Sequence, residues 1–383
     1  MKKTVYGASH IEKGALDQFE SAMAQSYVVQ GALMADAHLG YSLPIGGVVA
    51  TKGVIVPSWV GYDIGCGMSA VMTPFYVDHV ADEDCRRRIF EAVYRSVPTG
   101  TGGRHETKAD WACGLPRTEF ADGLYDSLGR LQLGTLGSGN HFIEVGHDEK
   151  GRIWVVIHSG SRGFGYKTAQ HYMKAAAGGK AREGHYPLDA NSRDGRDYID
   201  DMNFALAFAL ENRERMILAT LKDINWAIHG KAGTPDVDRD TFINRTHNHA
   251  VLREIGGQTT WIHRKGATHA EKDMMGVIPG SMLTGSFVVR GLGNPDSLFS
   301  SSHGAGRALS RREAKRTLSL EDFQRQMEGI TALVSPATID ESPMAYKDIF
   351  TVMEEQRSLI DVVHHLKPII NVKAAGGHRR RGR

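Results

Sequence analysis

Gly61-Tyr62-Asp63-Ile64-Gly65-Cys66-Gly67-Met68 sets a carboxylate and a thiol three residues apart among glycines. Glycines permit positive φ and close backbone approach, so the stretch reads as a tight turn aiming two side chains at one point. Carboxylate and thiolate are both anionic metal ligands; the structural alternative is a glycine-rich turn around an inert cysteine. Histidines downstream favour the metal. His141 follows Gly-Ser-Gly-Asn, His158 opens His-Ser-Gly-Ser-Arg-Gly at the end of an apolar run, and His247 stands in Thr246-His247-Asn248-His249. Asp63, Cys66, His141, His158 and His247 exceed what one four-coordinate ion takes, which predicts a two-metal site. Around them Asn140, Arg162, Lys265, Ser281, Ser286, Arg307 and Arg311 supply polar and basic groups suited to phosphate.

The elements that must hold these groups follow from periodicity. Residues 11–25 predict an amphipathic helix and Tyr27–Gln30 a strand run. Beyond it Asp36 and His38 alternate with apolar residues, which puts both on one face of a strand end. Residues 44–56 predict two short strands around a turn at Thr51-Lys52-Gly53, leading into the Asp63/Cys66 turn. Residues 82–97 predict a helix with an acidic start. Residues 153–157 are a buried strand ending at His158, where strands give way to functional loops. Residues 198–224 are the longest helical segment, containing Asn212 and Arg213, and read as scaffold. Further strands are expected at Trp261–Lys265 and Phe287–Arg290, helices at 320–327 and 345–364, and a closing strand at 368–372. The alternation of short strands, helices and chemical turns predicts an α+β fold of mixed sheets surrounded by helices, in a single large domain spanning 1–383. No strand-helix-strand series frames the glycine turns, which excludes a doubly wound sheet.

Composition narrows the function classes. The 383 residues have ordinary hydrophobic (41%) and charged (23%) content, and the net charge of +2 makes no global demand for nucleic acid. Basic residues do cluster at 307–316 and in a flexible tail, 374–383, with four arginines. Cys66, Cys85 and Cys113 form no disulfide pattern. No apolar run reaches the roughly 18 residues of a membrane span, and Met1-Lys2-Lys3 leads into no signal-like core, so a cytoplasmic location is expected.

VGYDIGCGM, GTLGSGNHFIEV, HSGSRG, HRKGA, IPGSM-x-T-x-S, SSHGAGR-x-x-SR and AYKD, in this order from about Asp36 to Lys373, resemble the RtcB family of RNA-splicing ligases. The resemblance implies a GTP- and Mn(II)-dependent RNA ligase joining a 3′-phosphate or 2′,3′-cyclic phosphate end to a 5′-hydroxyl. It implies that Asp63, Cys66, His141, His158 and His247 hold two Mn(II) with Cys66 bridging, and that His303 takes GMP as a phosphoramidate. The guanylate pocket implied comprises Asn140, Glu144, Ser281, Ser286, Ala305, Gly306, Tyr346 and Lys373. Arg162, Arg307 and Arg311 match positions for RNA phosphate, and Asp36 is the expected base toward the 5′-hydroxyl. The ligand types alone would also suit Zn, Co or Fe; manganese comes from the resemblance.

The chain departs from the family pattern in places. Leu283 and Phe287 replace a small residue and Tyr, His269 stands where Arg is usual, and THNHA replaces the HHN turn, leaving His249 as a rival to His247. Residues beyond Lys373 extend past the usual end. These features point to a divergent branch serving repair of damaged RNA, and leave the need for the activator archease open. A phosphohydrolase using the same metals on RNA ends is the alternative activity; it would need neither His303 nor Lys373.

Overall fold

Two mixed sheets with helices packed on them make up the computed structural model, which describes residues 2–179 and 184–375. The five-stranded sheet runs in the order Lys2–Val5, Val28–His38, Ile45–Thr51, Gln258–Lys265 and Asn248–Ile255. The larger sheet has eight strands. Its path is Met275–Pro279, Ser286–Gly291, Ile360–Val372, Phe142–His147, Arg152–Ser159, Gly67–Tyr76 and Ile243–Thr246, with Thr331–Ala332 parallel to Ile360–Val372. Two short ladders complete the sheets: Val54–Ile55 with Leu188–Asp189, and Ala267–His269 with Ser300–Ser302. The α+β class and mixed sheets agree with the sequence reading.

Helices Glu83–Ser96 and Arg193–His229 share an apolar core with the eight-stranded sheet through Ile89, Val93, Leu221, Val71, Val155 and Ile157. Local chemistry fixes their ends. The side chain of Asp82 accepts from the backbone N–H of Cys85, and that of Ser192 from Gly195, satisfying donors that the first turn leaves unpaired. The 37-residue helix ends at Gly230, whose φ of 65° is the left-handed cap conformation. Cys85 lies buried in this core as a small apolar group. Among the described residues no helix is long and apolar enough to cross a membrane.

Two expectations need correction. Val28–His38 is one strand of 11 residues, so the predicted run at Tyr27–Gln30 is only its beginning. The predicted helix at 345–364 is much shorter, Ile349–Glu355, and residues from Ile360 onward form a 13-residue strand that absorbs the expected 368–372 strand. Ile360, Val362 and Val363 are β-branched, and pairing with Ser286–Gly291 outweighs the weak helical pattern. Pro368, which has no N–H for the ladder, sits where the register shifts. The arginines of the expected basic tail, from residue 379 onward, lie outside the described residues.

Candidate active site

Register in the large sheet brings distant residues to one edge. Gly67 pairs with both Ser159 and Thr246, while His158 pairs with both Met68 and Phe142. Cys66, His141, His158 and His247 therefore lie at adjacent strand ends. The thiol of Cys66 is 3.2 Å from His158 Nε2 and 3.4 Å from His141 Nε2. Asp63 Oδ2 is 3.0 Å from His141 Nε2, and the Nε2 atoms of His158 and His247 are 3.3 Å apart. Gly65 makes the turn between Asp63 and Cys66 possible. It has φ of 76°, and a Cβ there would come within 2.8 Å of Ala209 on the long helix.

The long helix does more than scaffold the sheet. Buried Arg213 donates to the carbonyls of Gly65 and Ser159, both at 2.8 Å, and so ties the Asp63/Cys66 turn to the end of the His158 strand. Buried Asn212 accepts from the N–H groups of Gly134 and Thr135 and donates to the carbonyls of Thr135 and Gly160. That pair fixes the loop leading to Asn140 and His141. The signal in the sequence was an Asn-Arg pair between Phe208-Ala209 and Met216-Ile217 on the buried face of the helix.

The donor set fits a divalent cation. Ligand atoms bound at about 2.0–2.3 Å to one tetrahedral ion stand roughly 3.3–3.8 Å apart, and the spacings above lie at or just below that range. Cys66, His141 and His158 form a buried group with metal-ligand spacing. His141 Nδ1 lies 2.9 Å from the carbonyl of Leu136; donating its proton there leaves the Nε2 lone pair for a metal. Burial, then the neighbouring His141, holds His158 well below its usual pKa; burial, then His303, does the same for His247, so both rings are neutral. Burial and the charge of Asp63 push the Cys66 thiol well above its ordinary value, and a cation at this point would supply the charge that favours thiolate. His249 is turned elsewhere: its ring stacks on His269 at 4.6 Å, and its nitrogens meet Thr246 and Arg264. Of the two histidines, His247 is the one that stands beside His158 in the cluster.

A cavity of about 280 Å³ opens beside this cluster, and Asp63, Cys66, His158, His247 and His303 all contribute to its wall. The pairing of Ala267 with Ser302 brings His303 to this point, with its ring centroid 4.7 Å from that of His247. His303 Nδ1 is 2.6 Å from Asp36 Oδ2, and the same oxygen accepts from the His303 backbone N–H. Gly306 permits this approach: with φ of 73°, it lets the chain close against the Asp36 carbonyl, which a Cβ would strike. Asp36 is fully buried and does not line the cavity. The expected base toward a 5′-hydroxyl is therefore, in position, the residue that orients His303.

Of the expected guanylate pocket, Asn140, Glu144, Ser281, Ala305, Gly306, Tyr346 and Lys373 line the cavity. Ser286 stands behind it, donating to Glu144 Oε1 at 2.9 Å; Asn371, which the sequence reading missed, donates to the other oxygen at 3.4 Å. Burial raises the Glu144 carboxyl to about 7. Ser281 shares a hydrogen bond with Thr284 at 3.0 Å. Lys373 Nζ sits 5.4 Å from the Phe142 ring centroid and 2.9 Å from Glu341 Oε2, an oxygen that also accepts from the Tyr346 hydroxyl at 2.6 Å.

Glu341 and Asp340 were not legible as site residues, yet they organise its cations. Arg311 contacts Glu341 at 2.6 Å and Asp340 at 2.9 Å, and Arg307 lies 3.5 Å from Glu341. Two of the three arginines expected to face RNA phosphate, Arg307 and Arg311, do line the cavity, but here they are paired with carboxylates. Arg162, with φ of 60°, is buried and outside the cavity wall. Its Nε bonds Thr135 at 3.3 Å, and its charge helps keep Asp63 ionised.

The family described as tRNA-splicing ligase RtcB matches residues 18–122 and 112–374. The chain is 36% identical over 370 residues to the RNA-splicing ligase RtcB of Escherichia coli (strain K12), covering 89% of each chain. It is 32% identical over 429 residues to the tRNA-splicing ligase RtcB of Aeropyrum pernix, covering 90% of this chain and 87% of that one. It is also 28% identical over 392 residues to the RNA-splicing ligase RtcB2 of a second Escherichia coli strain, ATCC 25922, covering 96% and 94%.

Proposed function

The chain belongs to the RtcB family, and from that premise we propose that it is an RNA ligase that uses GTP and Mn(II) to join 3′-phosphate or 2′,3′-cyclic phosphate ends to 5′-hydroxyl ends. The observation that supports this most is the situation of His303. Its Nδ1 is engaged by Asp36 at 2.6 Å, and its ring shares one cavity with the Cys66/His158/His247 cluster and with Glu144 and Lys373.

With the Nδ1 proton donated to Asp36, Nε2 carries the lone pair, as a nucleophile requires. Nε2 attacks the α-phosphorus of GTP; a P–N bond forms and pyrophosphate leaves. An oxygen of the RNA 3′-phosphate then displaces His303 from the GMP phosphorus, giving an RNA end capped through a pyrophosphate linkage. The 5′-hydroxyl attacks the RNA phosphorus, loses its proton, and GMP departs. A 2′,3′-cyclic end first needs hydrolysis to the 3′-phosphate. Bound at Asp63, Cys66, His141, His158 and His247, Mn(II) would supply charge neutralisation at the phosphates. Glu144, held by Ser286 and Asn371, is suited to accept N–H donors from the guanine base, and Tyr346 and Lys373 complete that wall. A phosphohydrolase would have no use for that wall, which favours ligation. Archease is a candidate partner in turnover, and the cytoplasm is the proposed location.

Incubation with Mn(II) and α-labelled GTP tests the proposal. Covalent label that is lost in acid, stable in base and absent from His303→Ala is the expected result. Label that survives in His303→Ala, or a parent enzyme that seals RNA without GTP, overturns the mechanism.

A further inference from the structure

Three tyrosines from separate segments meet beside the cavity. Tyr62 and Tyr166 stack with ring centroids 5.2 Å apart and 25° between planes, and Tyr41 meets Tyr62 edge-on at 5.6 Å. Lys265 Nζ lies 5.7 Å from the Tyr41 centroid. Tyr41 is 60% exposed and Tyr166 45%, so both residues, each packed on Tyr62, leave surface open to solvent. The cluster is continuous with the site. Tyr62 precedes Asp63, Tyr41 follows His38 by three residues, and Lys265 precedes Gly266; Asp63, His38 and Gly266 all form cavity wall. Tyr166 lies one helical turn beyond Arg162, on the helix Arg162–Ala176.

We propose that Tyr41 and Tyr166, braced by Tyr62, form a stacking platform for the terminal nucleobases of the 5′-hydroxyl strand. The inference rests on the ligase reading of the cavity. Rows of exposed aromatic rings beside a cation are the way proteins hold single-stranded nucleic acid, because every base has a π-face. The choice of strand follows from charge. The cavity's own cations, Arg307, Arg311 and Lys373, gather at Glu341 and suit the end that brings a phosphate. A 5′-hydroxyl end has no terminal phosphate, so its first nucleotide offers the site only its base and sugar to hold. The platform grows from the segments bearing Asp63 and His38 and not from those bearing Arg307 and Lys373.

A 5′-hydroxyl RNA decamer with 2-aminopurine as its first base tests this on the whole protein. Binding to the parent should quench the fluorescence by stacking. Tyr41→Ala and Tyr166→Ala should each weaken binding of this strand by roughly 5- to 150-fold, and in ligation should raise KM for the 5′-hydroxyl strand while leaving KM for the 3′-phosphate strand near the parent's. Tyr166→Trp, which keeps a ring, should restore binding and quenching, which separates stacking from damage to the fold. Affinity within twofold of the parent in both alanine variants, or a KM effect falling on the 3′-phosphate strand, overturns the platform while leaving the ligase reading intact. Tight capture of the decamer without quenching also overturns it. A parent enzyme that seals no ends at all overturns the ligase reading and the platform with it.

Discussion

His303 Nδ1 and the buried carboxylate of Asp36 lie 2.6 Å apart across 267 residues of sequence. Burial alone would raise the Asp36 pKa; the charge and hydrogen bond of His303, aided by His38 and Lys347, outweigh it and hold the carboxyl below its usual range. Such a carboxylate locks the imidazole tautomer and stabilises the positive charge that develops as the ring attacks. Asp36→Asn should therefore slow guanylylation of His303 by about 10²- to 10⁴-fold and leave metal content unchanged, since Asp36 touches none of the candidate ligands. Label transfer from GTP at the parental rate in Asp36→Asn would show that the pairing is only structural.

The two histidines of the Thr-His-Asn-His turn separate cleanly in space. His247 Nε2 faces His158, whereas His249 is engaged by Arg264 and Thr246. Under saturating Mn(II) the parent and His249→Ala should each bind two ions per chain, His247→Ala should lose one, and Cys66→Ala should weaken both. Direct metal analysis reads this. Loss of an ion from His249→Ala with none lost from His247→Ala reverses the assignment.

What could be read from the sequence was chemistry held in short motifs. Asp63 and Cys66 announce themselves because glycines flank them, and His158 because it ends an apolar run. Less visible was whatever depends on pairing between distant segments. The strand at Ile360–Val372 looked partly helical because its register with Ser286–Gly291 and Phe142–His147 is set by partners at least 69 residues away. Arg213 looked like part of an ordinary helix, because its carbonyl partners at Gly65 and Ser159 leave no trace near it in sequence. Asp340 and Glu341 were missed for the same reason: an acidic pair in a short turn reads as solvated surface until Arg307, Arg311 and Lys373 are brought to it.

Glu144 gives the guanine site a pH dependence. Burial raises its carboxyl to about 7, and only the ionised form can accept from both the N1–H and the exocyclic amine of guanine. Affinity for guanosine, which carries no titrating phosphate, measured without added metal, should rise with pH up to about 7 and level off above it. Below that value it should fall by up to about tenfold per pH unit. Glu144→Gln should bind weakly at every pH, with a flat profile. A parent profile that is equally flat from pH 6 to 8 rules out Glu144 as the guanine acceptor.

Glu341 shows the opposite shift, and its consequence is for stability. Burial would raise its carboxyl, but Lys373 and then Arg311, together with the Tyr346 hydroxyl, bring it from 4.5 to about 2. A depressed folded-state value means that the ionised form is favoured by folding. The stabilisation is complete above the unfolded-state value near 4.5 and is lost as pH falls toward 2. Lys373 is buried, but Arg311 is partly exposed and screened by solvent, so the contribution is roughly 2–3 kcal/mol. Glu341→Gln should therefore be less stable than the parent by about that amount or slightly more at pH 7, because it leaves the buried ammonium of Lys373 without its counter-charge. Urea denaturation at pH 7 and again at pH 3 distinguishes this from a packing defect. The gap between parent and variant should narrow at pH 3, where protonation of Glu341 in the unfolded chain has removed part of the parent's advantage. A gap of the same size at both pH values would mean that Glu341 acts through its shape and hydrogen bonds, with its charge already balanced elsewhere.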